Sequence, residues 1–452
     1  MAKQVNLLKG SIVKSLTTLA LPIMGSQLIQ MAYNLTDMLW IGRVGVGAMA
    51  AVGAVGLFMW LSNGLAILAR MGGQVLVAQN IGAGDMERAG RSAAASLQLG
   101  TALAAGYTLL MIVGAVPLIG FFNLNSAEVV ADARMYLILV ALGMPFSFLN
   151  QVMVAIITAT GNSHTPFVAM GCGLGINILL DPLLIFGLFG FPQWGVAGAA
   201  VATTLAQGVV FLIFCRYAIR DQYLFPHVHL KHLATRQELV QMLRISGPAA
   251  AMNVLFPIIS MVIARMVASF GDNAVAVQKV GSQVESISWM TADGFAAATN
   301  SFVGQNYGAG NFRRAKKGFY AAFSLMTIWG IFCTLLLIFC AGPIFKIFIP
   351  EAEVLPMGVE YLVIIGVSEL FMCWEILIEG AYAGFGHTLP ASVVSSIFTI
   401  LRIPCAMLLS ATALGLCGIW WSISISSILK GLVLAGMFGV FLHKLSKNQS
   451  QL

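Results

Sequence analysis

Residues 79–89 read QNIGAGDMERA, and residues 305–315 read QNYGAGNFRRA. Seven of the eleven positions are identical, and the two stretches lie 226 positions apart. Further pairs follow in nearly the same register: Pro22 with Pro248, GNSHTP at Gly161 with GFGHTLP at Gly384, Pro182 with Pro404, and GVAG at Gly195 with GLCG at Gly415. The chain is therefore built from two related halves. In each half, the glycines predict the end of a helix followed by a tight turn.

The composition indicates whether these halves lie in water or in a lipid bilayer. The chain has 452 residues, of which 59% are hydrophobic and 9% charged, and its mean hydropathy is +0.90. Soluble domains carry roughly 25% charged residues. Apolar blocks long enough to cross a bilayer recur from end to end: 15–40, 47–74, 92–117, 134–159, 164–189, 195–217, 242–268, 275–303, 317–342, 357–384, 389–411 and 415–441. The sequence predicts an all-α integral membrane protein with twelve transmembrane helices.

The repeat determines how these helices are grouped. Each half contains six predicted spans, and because six is even, both halves enter the membrane from the same side. We therefore expect two six-helix bundles related by a parallel internal repeat. The predicted boundaries are 1–220 for the first bundle, 221–241 for a cytoplasmic linker and 242–452 for the second bundle.

Basic residues are unevenly distributed between the predicted loops. With the N-terminus on the cytoplasmic side, and with residues within two positions of a block end counted in the adjoining loop, sixteen Lys and Arg residues lie inside, three lie outside and five lie in the spans. This asymmetry follows the positive-inside rule, so both termini are expected on the cytoplasmic side of the membrane. The net charge of +7 is then a topology signal and does not indicate nucleic-acid binding. The sequence shows no cleavable signal-peptide pattern.

Two aspartates stand inside the apolar blocks of the first half. Tyr33 and Asp37 are spaced i, i+4 in the first span, and Asn177 and Asp181 repeat that spacing in the fifth. Pro22 and Pro182 are the helix-kink candidates, since a proline leaves the carbonyl four residues earlier without its helical donor. Such an oxygen-rich setting suits a hard monovalent cation or a proton shared between carboxylates. We therefore predict a site for a cation or a proton, sodium at Asp37, Asn177 and Asp181 being one form of it.

The second half carries a different set of charges within its predicted helices. The candidates are Arg265, Lys279, Glu285, Asp293, Glu369, Glu375, Glu379 and Arg402. Opposite charges near one another indicate ion pairing, which lowers the cost of burial. This network could be functional, or it could only fix the packing of the second half. The positions that correspond to the two aspartates are Ile263 and Ile403, so the halves differ chemically.

Other residue patterns limit the function. No Walker A, HEXXH, zinc or Ser–His–Asp pattern is present, and a catalytic role is not expected. The three histidines of the linker, His227, His229 and His232, resemble a metal cluster but lie in a basic, solvated segment. The seven cysteines form no C-x-x-C pair. We expect no cofactor beyond a coupling ion, and no metal site beyond possible sodium.

The sequence resembles the multidrug and toxic compound extrusion (MATE) family along essentially its whole length. The resemblance rests on LALPIMGSQLIQMAYNLTDMLWIGRVG in the first span, on the duplicated Q-N-x-G-A-G, on ATGNSHTP and on NILLDPLLIFG…GVAGAAVAT. It implies export of amphipathic, often cationic, organic compounds in exchange for sodium ions or protons. It also implies that Asp37 is the central coupling residue, with Tyr33, Asn177 and Asp181 as site partners and Thr203 or Thr204 as a further one.

The resemblance is strongest to the branch that includes DNA-damage-inducible protein F, where coupling lies in the first half. Branches with a second-half sodium site carry an acid in the seventh helix, whereas the nearest position here is Asn253. The expected partners are small organic molecules and the lipid bilayer, with no nucleic acid, and the chain is expected to be a monomer. An alternative is a flippase-like exporter of lipid-linked substrates. Between the ions, the sequence slightly favours protons because no compact set of sodium ligands can be assigned from it.

Overall fold

In the computed structural model, residues 5–122, 126–190, 192–348 and 351–449 are described, and all regular structure in these ranges is helical. The helices are α1 Ile12–Val44, α2 Val46–Gly82, α3 Met86–Val113, α4 Ala115–Gly120, α5 Ala127–Ala159, α6 His164–Phe186, α7 Gly195–Arg220, α8 Arg236–Ala268, α9 Asp272–Gly308, α10 Phe312–Phe339, α11 Ala341–Phe348, α12 Leu355–Gly366, α13 Glu369–Gly384, α14 Thr388–Ser410 and α15 Leu416–Gln449. Two single turns of 3₁₀ helix lie at Leu188–Gly190 and Phe225–His227.

The predicted spans are confirmed as an all-helical membrane architecture. Within the described ranges, ten helices are long and apolar enough to cross a bilayer, and the bent pair α12–α13 supplies an eleventh span. The twelfth predicted span is α9, which is less apolar because Lys279, Glu285 and Asp293 lie in it. Pro22 and Pro182 lie inside α1 and α6, and each helix continues through its proline.

One predicted span is not a single helix. Residues 357–384 were expected as one segment, but α12 ends at Gly366 and α13 begins at Glu369 with a bend of 46°. At the break, the hydroxyl of Ser368 donates to the carbonyl of Ile365 at 2.8 Å, so a side chain replaces part of the helical hydrogen bonding. The break contains no proline, which is why the sequence did not reveal it.

The chain groups into two compact units. The first unit comprises Met1–Val5 and Gly25–Gly247, and the second comprises Asn6–Met24 and Pro248–Leu452. In the first unit α5 packs against α2, α3 and α7, and α6 packs against α7. In the second unit α13 packs against α9, α10 and α15, and α14 packs against α15. The same packing scheme in both units agrees with the internal repeat.

The duplicated Q-N-x-G-A-G stretches form equivalent turns. Gly84 and Gly310 adopt φ angles of 76° and 69°, a left-handed conformation that favours glycine after a helix end. The next residue caps the following helix: Asp85 accepts a bond from the backbone N–H of Arg88 at 2.9 Å, and Asn311 accepts one from that of Arg314 at 3.2 Å. The motif thus encodes one helix end and the next helix start.

Arg314 fixes the segment before α1 to the second unit. Its guanidinium donates to the carbonyls of Leu7, Lys9 and Gly10 at 3.2, 3.0 and 2.9 Å. Asn306, in the second copy of the motif, also donates to the carbonyl of Leu7, at 3.1 Å. The repeat-equivalent Arg88 instead forms an exposed ion pair with Asp85 at 3.2 Å.

Linker residues pack on the first unit. The side chain of Gln98 on α3 donates to the carbonyls of Leu230 and His232 at 3.0 and 2.8 Å. His227 lies 2.9 Å from a carboxylate oxygen of Glu87. Within the described ranges, no group of three His, Cys, Asp or Glu side chains could hold a metal ion.

Candidate functional site

The part of α1 that belongs to the first unit, from Gly25 to Val44, carries two polar side chains on one inward stripe. Leu35 and Leu39 are exposed, as expected of lipid-facing residues, whereas Tyr33 is only 8% exposed and Ile41 is buried. Asp37 lies one helical turn after Tyr33 and is half-buried. The i, i+4 spacing therefore holds both polar side chains on the inward stripe.

α6 contributes an amide and a carboxylate that are completely buried. Asn177 and Asp181 are both 0% exposed. The side-chain NH₂ of Asn177 donates to Oδ1 of Asp181 at 3.2 Å, so the side-chain oxygen of Asn177 points away from that carboxylate and is left as an acceptor. Pro182 follows directly.

The two pairs meet in the first unit. Asp37 has Asp181, Asn177 and Thr203 as its polar neighbours, and the Tyr33 hydroxyl has Thr203 and Asp37 beside it. Thr203 lies on α7, which packs against α6. The structure thus brings together all five residues that the sequence assigned to the coupling site, from three helices.

Thr203 and Thr204 have different roles in α7. The hydroxyl of Thr204 donates to the carbonyl of Leu139 at 3.3 Å. The hydroxyl of Thr203 is buried, and no atom of the described chain meets hydrogen-bond geometry with it. Of the two threonines that the resemblance left open, Thr203 is the one beside Asp37.

The site is short of hydrogen-bond partners. Within the described residues, five of its buried oxygens have none: Tyr33 OH, Asp37 Oδ1, Asn177 Oδ1, Asp181 Oδ2 and Thr203 Oγ1. A buried polar atom left without a partner costs about 1–3 kcal/mol, so five together in one place are costly. A cation would satisfy them, since carboxylate, carbonyl and hydroxyl oxygens are hard ligands. A proton on one carboxylate would relieve part of the same cost.

Sequence reasoning missed one residue of this environment. Tyr136 on α5 is 4% exposed and close enough to Asp37 and Asp181 to interact with both electrostatically. It stands in an apolar run as a lone tyrosine, a pattern that does not separate a site residue from core packing.

The second unit contains its own cluster of charges, formed between helices. Nζ of Lys430 on α15 lies 2.6 Å from Oε1 of Glu375 on α13, and both side chains are nearly fully buried. Glu379, one turn after Glu375, accepts a bond from the hydroxyl of Ser395 at 2.5 Å. Arg402 on α14 is 7% exposed.

Arg402 is held by two serines of α15. Its Nε donates to Ser426 at 2.6 Å and one terminal nitrogen donates to Ser427 at 3.2 Å. Glu285 of α9 interacts electrostatically with Arg402 and Lys430. Four of the predicted network residues, Glu285, Glu375, Glu379 and Arg402, therefore come together.

Two predicted network residues do not join this cluster. Arg265 and Lys279 are exposed, and neither side chain has an ion pair within the described ranges. Spacing along α8 and α9 could not show which face each residue occupies. Lys430 was missed from the network, although a lone lysine inside the apolar α15 is the same signal that singled out Asp37.

Glu369 lies beside this cluster and interacts electrostatically with Glu285. It opens α13 at the helix break and is 1% exposed. Both of its carboxyl oxygens lack a hydrogen-bond partner in the described structure. Ser288 and Cys373 lie close to it.

Comparisons with known proteins agree with this architecture. The family model MatE matches residues 22–183 and 248–408. The chain is 30% identical over 422 residues to the probable multidrug resistance protein NorM of Thermotoga maritima, covering 90% of this chain and 88% of that protein. It is 26% identical over 434 residues to the FAD transporter of Shewanella oneidensis, covering 94% of each. A crystal structure of MATE in the bent conformation superposes with a TM-score of 0.91 at 25% identity and covers 100% of both chains.

Proposed function

The chain belongs to the MATE family of transporters, and we propose that it exports amphipathic, often cationic, organic compounds in exchange for a proton or a sodium ion. Members of this family are multi-pass membrane transporters and not enzymes. The substrate class is suggested by the multidrug resistance relative. The exchange is suggested by the site in the first unit.

The observation that carries this proposal is the set of five buried oxygens without partners. Two of them belong to carboxylates that lie side by side, Asp37 and Asp181. Two neighbouring carboxylates in an apolar protein repel each other unless a proton or a metal cation is shared between them. An ionisable group in a membrane is costly and is retained where it handles charge.

The proposed mechanism couples the charge of Asp37 to the state of the first unit. A charged Asp37 needs water or a cationic substrate beside it, and so favours an open, hydrated cleft. Once Asp37 is protonated, or shares sodium with Tyr33, Asn177 and Asp181, that requirement falls and the cleft can shrink. The ion and the substrate then compete for one state, which drives alternating access between the two repeats.

The identity of the ion is part of the proposal. The sequence slightly favours a proton because it gives no assignable ligand set. The buried oxygens beside Asp37 and Asp181 are all hard ligands, which supports sodium as an equal candidate. Proton and sodium are therefore tested together.

Within the family, we propose that the chain is closest to the branch of DNA-damage-inducible protein F. Asn253, which stands where other branches carry an acid, donates to the carbonyl of Ala249 in its own helix at 3.0 Å. Glu375 already has Lys430 as its partner. Both observations favour ion coupling through the first half.

We also propose the arrangement in the cell that the charge distribution predicts. The chain lies in a bacterial inner membrane as a monomer, with both termini and the linker 221–241 in the cytoplasm. The segments 1–220 and 242–452 are its two functional halves. The asymmetry of basic residues supports this orientation.

The decisive experiment is transport by purified protein in liposomes. Efflux of a cationic dye is measured under an imposed pH gradient, an imposed sodium gradient, both or neither. A flavin nucleotide is tested in parallel, because one relative is an FAD transporter. We expect one of the ion gradients to drive uphill movement, and the Asp37→Asn variant to lose it while remaining folded.

A binding measurement separates competition from other mechanisms. Dye affinity is titrated across pH and across sodium concentration in the wild type and in the Asp37→Asn variant. The coupling ion should weaken dye binding in the wild type only. Dye affinity that responds to neither ion, or that responds equally in the variant, contradicts the proposal.

A further inference from the structure

The ammonium group of Lys430 lies in surroundings that resemble an ion site. It is 4% exposed and lies 2.6 Å from Oε1 of Glu375, which is itself 7% exposed. Lysine is almost never buried unless it is paired. The ammonium group therefore places one positive charge beside Glu375, as a bound monovalent cation would.

The oxygens near this ammonium come from two helices. Glu375 and Glu379 lie one turn apart on α13, and Ser395 lies on α14. The Ser395 hydroxyl is 2.5 Å from Oε1 of Glu379 and 3.4 Å from Oε1 of Glu375. Because a hydroxyl has one proton to donate, its bond to Glu379 leaves Glu375 dependent on Lys430.

The other charged groups that interact with this pair lie on α9, α13 and α14. Arg402 of α14 and Glu285 of α9 interact with it electrostatically, and Asp293 of α9 interacts with Glu379. Arg402 is engaged by Ser426 and Ser427. Lys430 is therefore the cation in direct contact with Glu375.

The first unit supplies the contrast. Among the described residues, no basic side chain interacts with the carboxylates of Asp37 and Asp181. The offset that relates GVAG to GLCG assigns Val210 to the place of Lys430. The carboxylates of the first unit thus have no cationic side chain beside them, whereas Glu375 in the second unit has the ammonium group of Lys430.

We propose that Lys430 occupies a latent monovalent-cation site of the second unit, formed by Glu375, Glu379 and Ser395, and that its removal opens this site to a sodium ion or a proton. In the native chain the lysine keeps the site filled throughout the transport cycle. Ion exchange is then confined to the first unit, so each cycle uses one coupling site. This last consequence rests on the proposed function, whereas the latent site itself does not.

The test uses the full chain with the first-unit site disabled by Asp37→Asn. Lys430→Met is added, because methionine is close to the lysine stem in length and carries no charge. Thermal unfolding and ²²Na⁺ binding are measured in sodium or choline chloride between pH 6 and pH 9. We expect the Tm of the double variant to rise with sodium concentration or with falling pH. The Tm of the Asp37→Asn parent should show neither dependence.

Two controls identify the origin of such a gain. Lys444→Met removes an exposed lysine from the same helix, α15, and should leave the parent behaviour unchanged. Glu375→Gln combined with Lys430→Met removes both charges of the pair. It should abolish the gained ion dependence and should fold without added cation.

Each remaining outcome overturns the proposal. If Lys430→Met folds with no new dependence on sodium or pH, the position is not a cation site. If Lys430→Met unfolds under every condition while the neutral double replacement folds, no external cation can take the place of the ammonium. If neither folds, the lysine is needed for packing and not for its charge. If the wild type shows no ion-driven transport, the proposed function fails, but the latent cation site is still decided by the folding and binding results above.

Discussion

The side-chain amide of Asn177 donates to Oδ1 of Asp181, one helical turn further along α6, at 3.2 Å. This bond orients both groups, while Oδ1 of Asn177 and Oδ2 of Asp181 have no hydrogen-bond partner in the part of the chain that the structure describes. Two oxygens of the site are therefore aligned by a contact within a single helix. The other three oxygens of the site lie on α1 and α7, so their positions depend on how these two helices pack against α6.

Thr203 and Thr204 provide a matched pair for testing the site. Replacing Thr203 by Val removes a site oxygen with little change of shape, and we expect ion-driven export to fall about tenfold, or ~1.4 kcal/mol of coupling free energy. Replacing Thr204 by Val removes the bond to Leu139 and should cost about 0.5–1.5 kcal/mol of stability with export preserved. Liposome transport and thermal unfolding of both variants distinguish these effects. Equal losses of export would remove Thr203 from the site.

Asp181 and Glu375 should respond differently to neutralisation. Asp181→Asn removes one of the two site carboxylates, and we expect coupled transport to be lost while the protein folds. Glu375→Gln leaves the Lys430 ammonium buried without its partner, which costs about 3–5 kcal/mol. Its main effect should therefore be a lower Tm, with folded protein retaining most of its transport. Comparing initial export rates per folded molecule tests the distinction, and full export by Asp181→Asn would contradict the site.

Arg314 and Arg88 occupy equivalent positions of the repeat in unlike surroundings. Arg314→Ala removes charged hydrogen bonds to three backbone carbonyls, and we expect a loss of about 1.5–3 kcal/mol in the free energy of unfolding. Arg88→Ala removes an ion pair whose side chains are 69% and 38% exposed, worth about 0–1 kcal/mol. Thermal unfolding in detergent, with limited proteolysis of the N-terminal segment, measures both. A larger effect at Arg88 would show that these contacts do not secure the segment.

The topology prediction uses the same two positions. Single cysteines introduced at 88 and 314 in a cysteine-free background should be labelled from the same, cytoplasmic, side of the membrane. The reason is that both follow an even-numbered span of a parallel repeat whose basic residues gather on one side. A membrane-impermeant thiol reagent applied to intact cells and to lysed cells makes the comparison. Labelling from opposite sides would contradict both the topology and the parallel repeat.

Much of the fold could be predicted because the relevant signals are local. Apolar length and basic-residue asymmetry identify a membrane helix bundle, and Q-N-x-G-A-G marks a helix end and the next start. The break before Glu369 escaped prediction because it contains no proline and is accompanied instead by a hydrogen bond from the Ser368 hydroxyl to the carbonyl of Ile365. Helix breaks of this kind depend on residues of neighbouring helices, and the sequence alone does not show which residues those are.

In the candidate site, too, local signals could be read from the sequence and contacts between helices could not. Asp37 and Asp181 were recognisable because a charge in an apolar helix is expensive wherever that helix packs. Lys430 carried the same signal, but its partner Glu375 lies 55 positions away, a distance that no helical spacing connects. Arg265 and Lys279 were assigned to the network on charge alone, and the orientation of α8 and α9 leaves them exposed. Helix rotation decides such cases.

The attachment of the N-terminal segment to the second unit has a consequence for biosynthesis. Leu7 and its partner Asn306 are 299 residues apart, and chains are made at about 5–20 residues per second. Leu7 therefore leaves the ribosome about 15–60 s before the residue that holds it exists. The beginning of the chain must wait, undocked, until α9 and the start of α10 have been made, and N-terminal protection from proteases then reports that synthesis has passed Arg314.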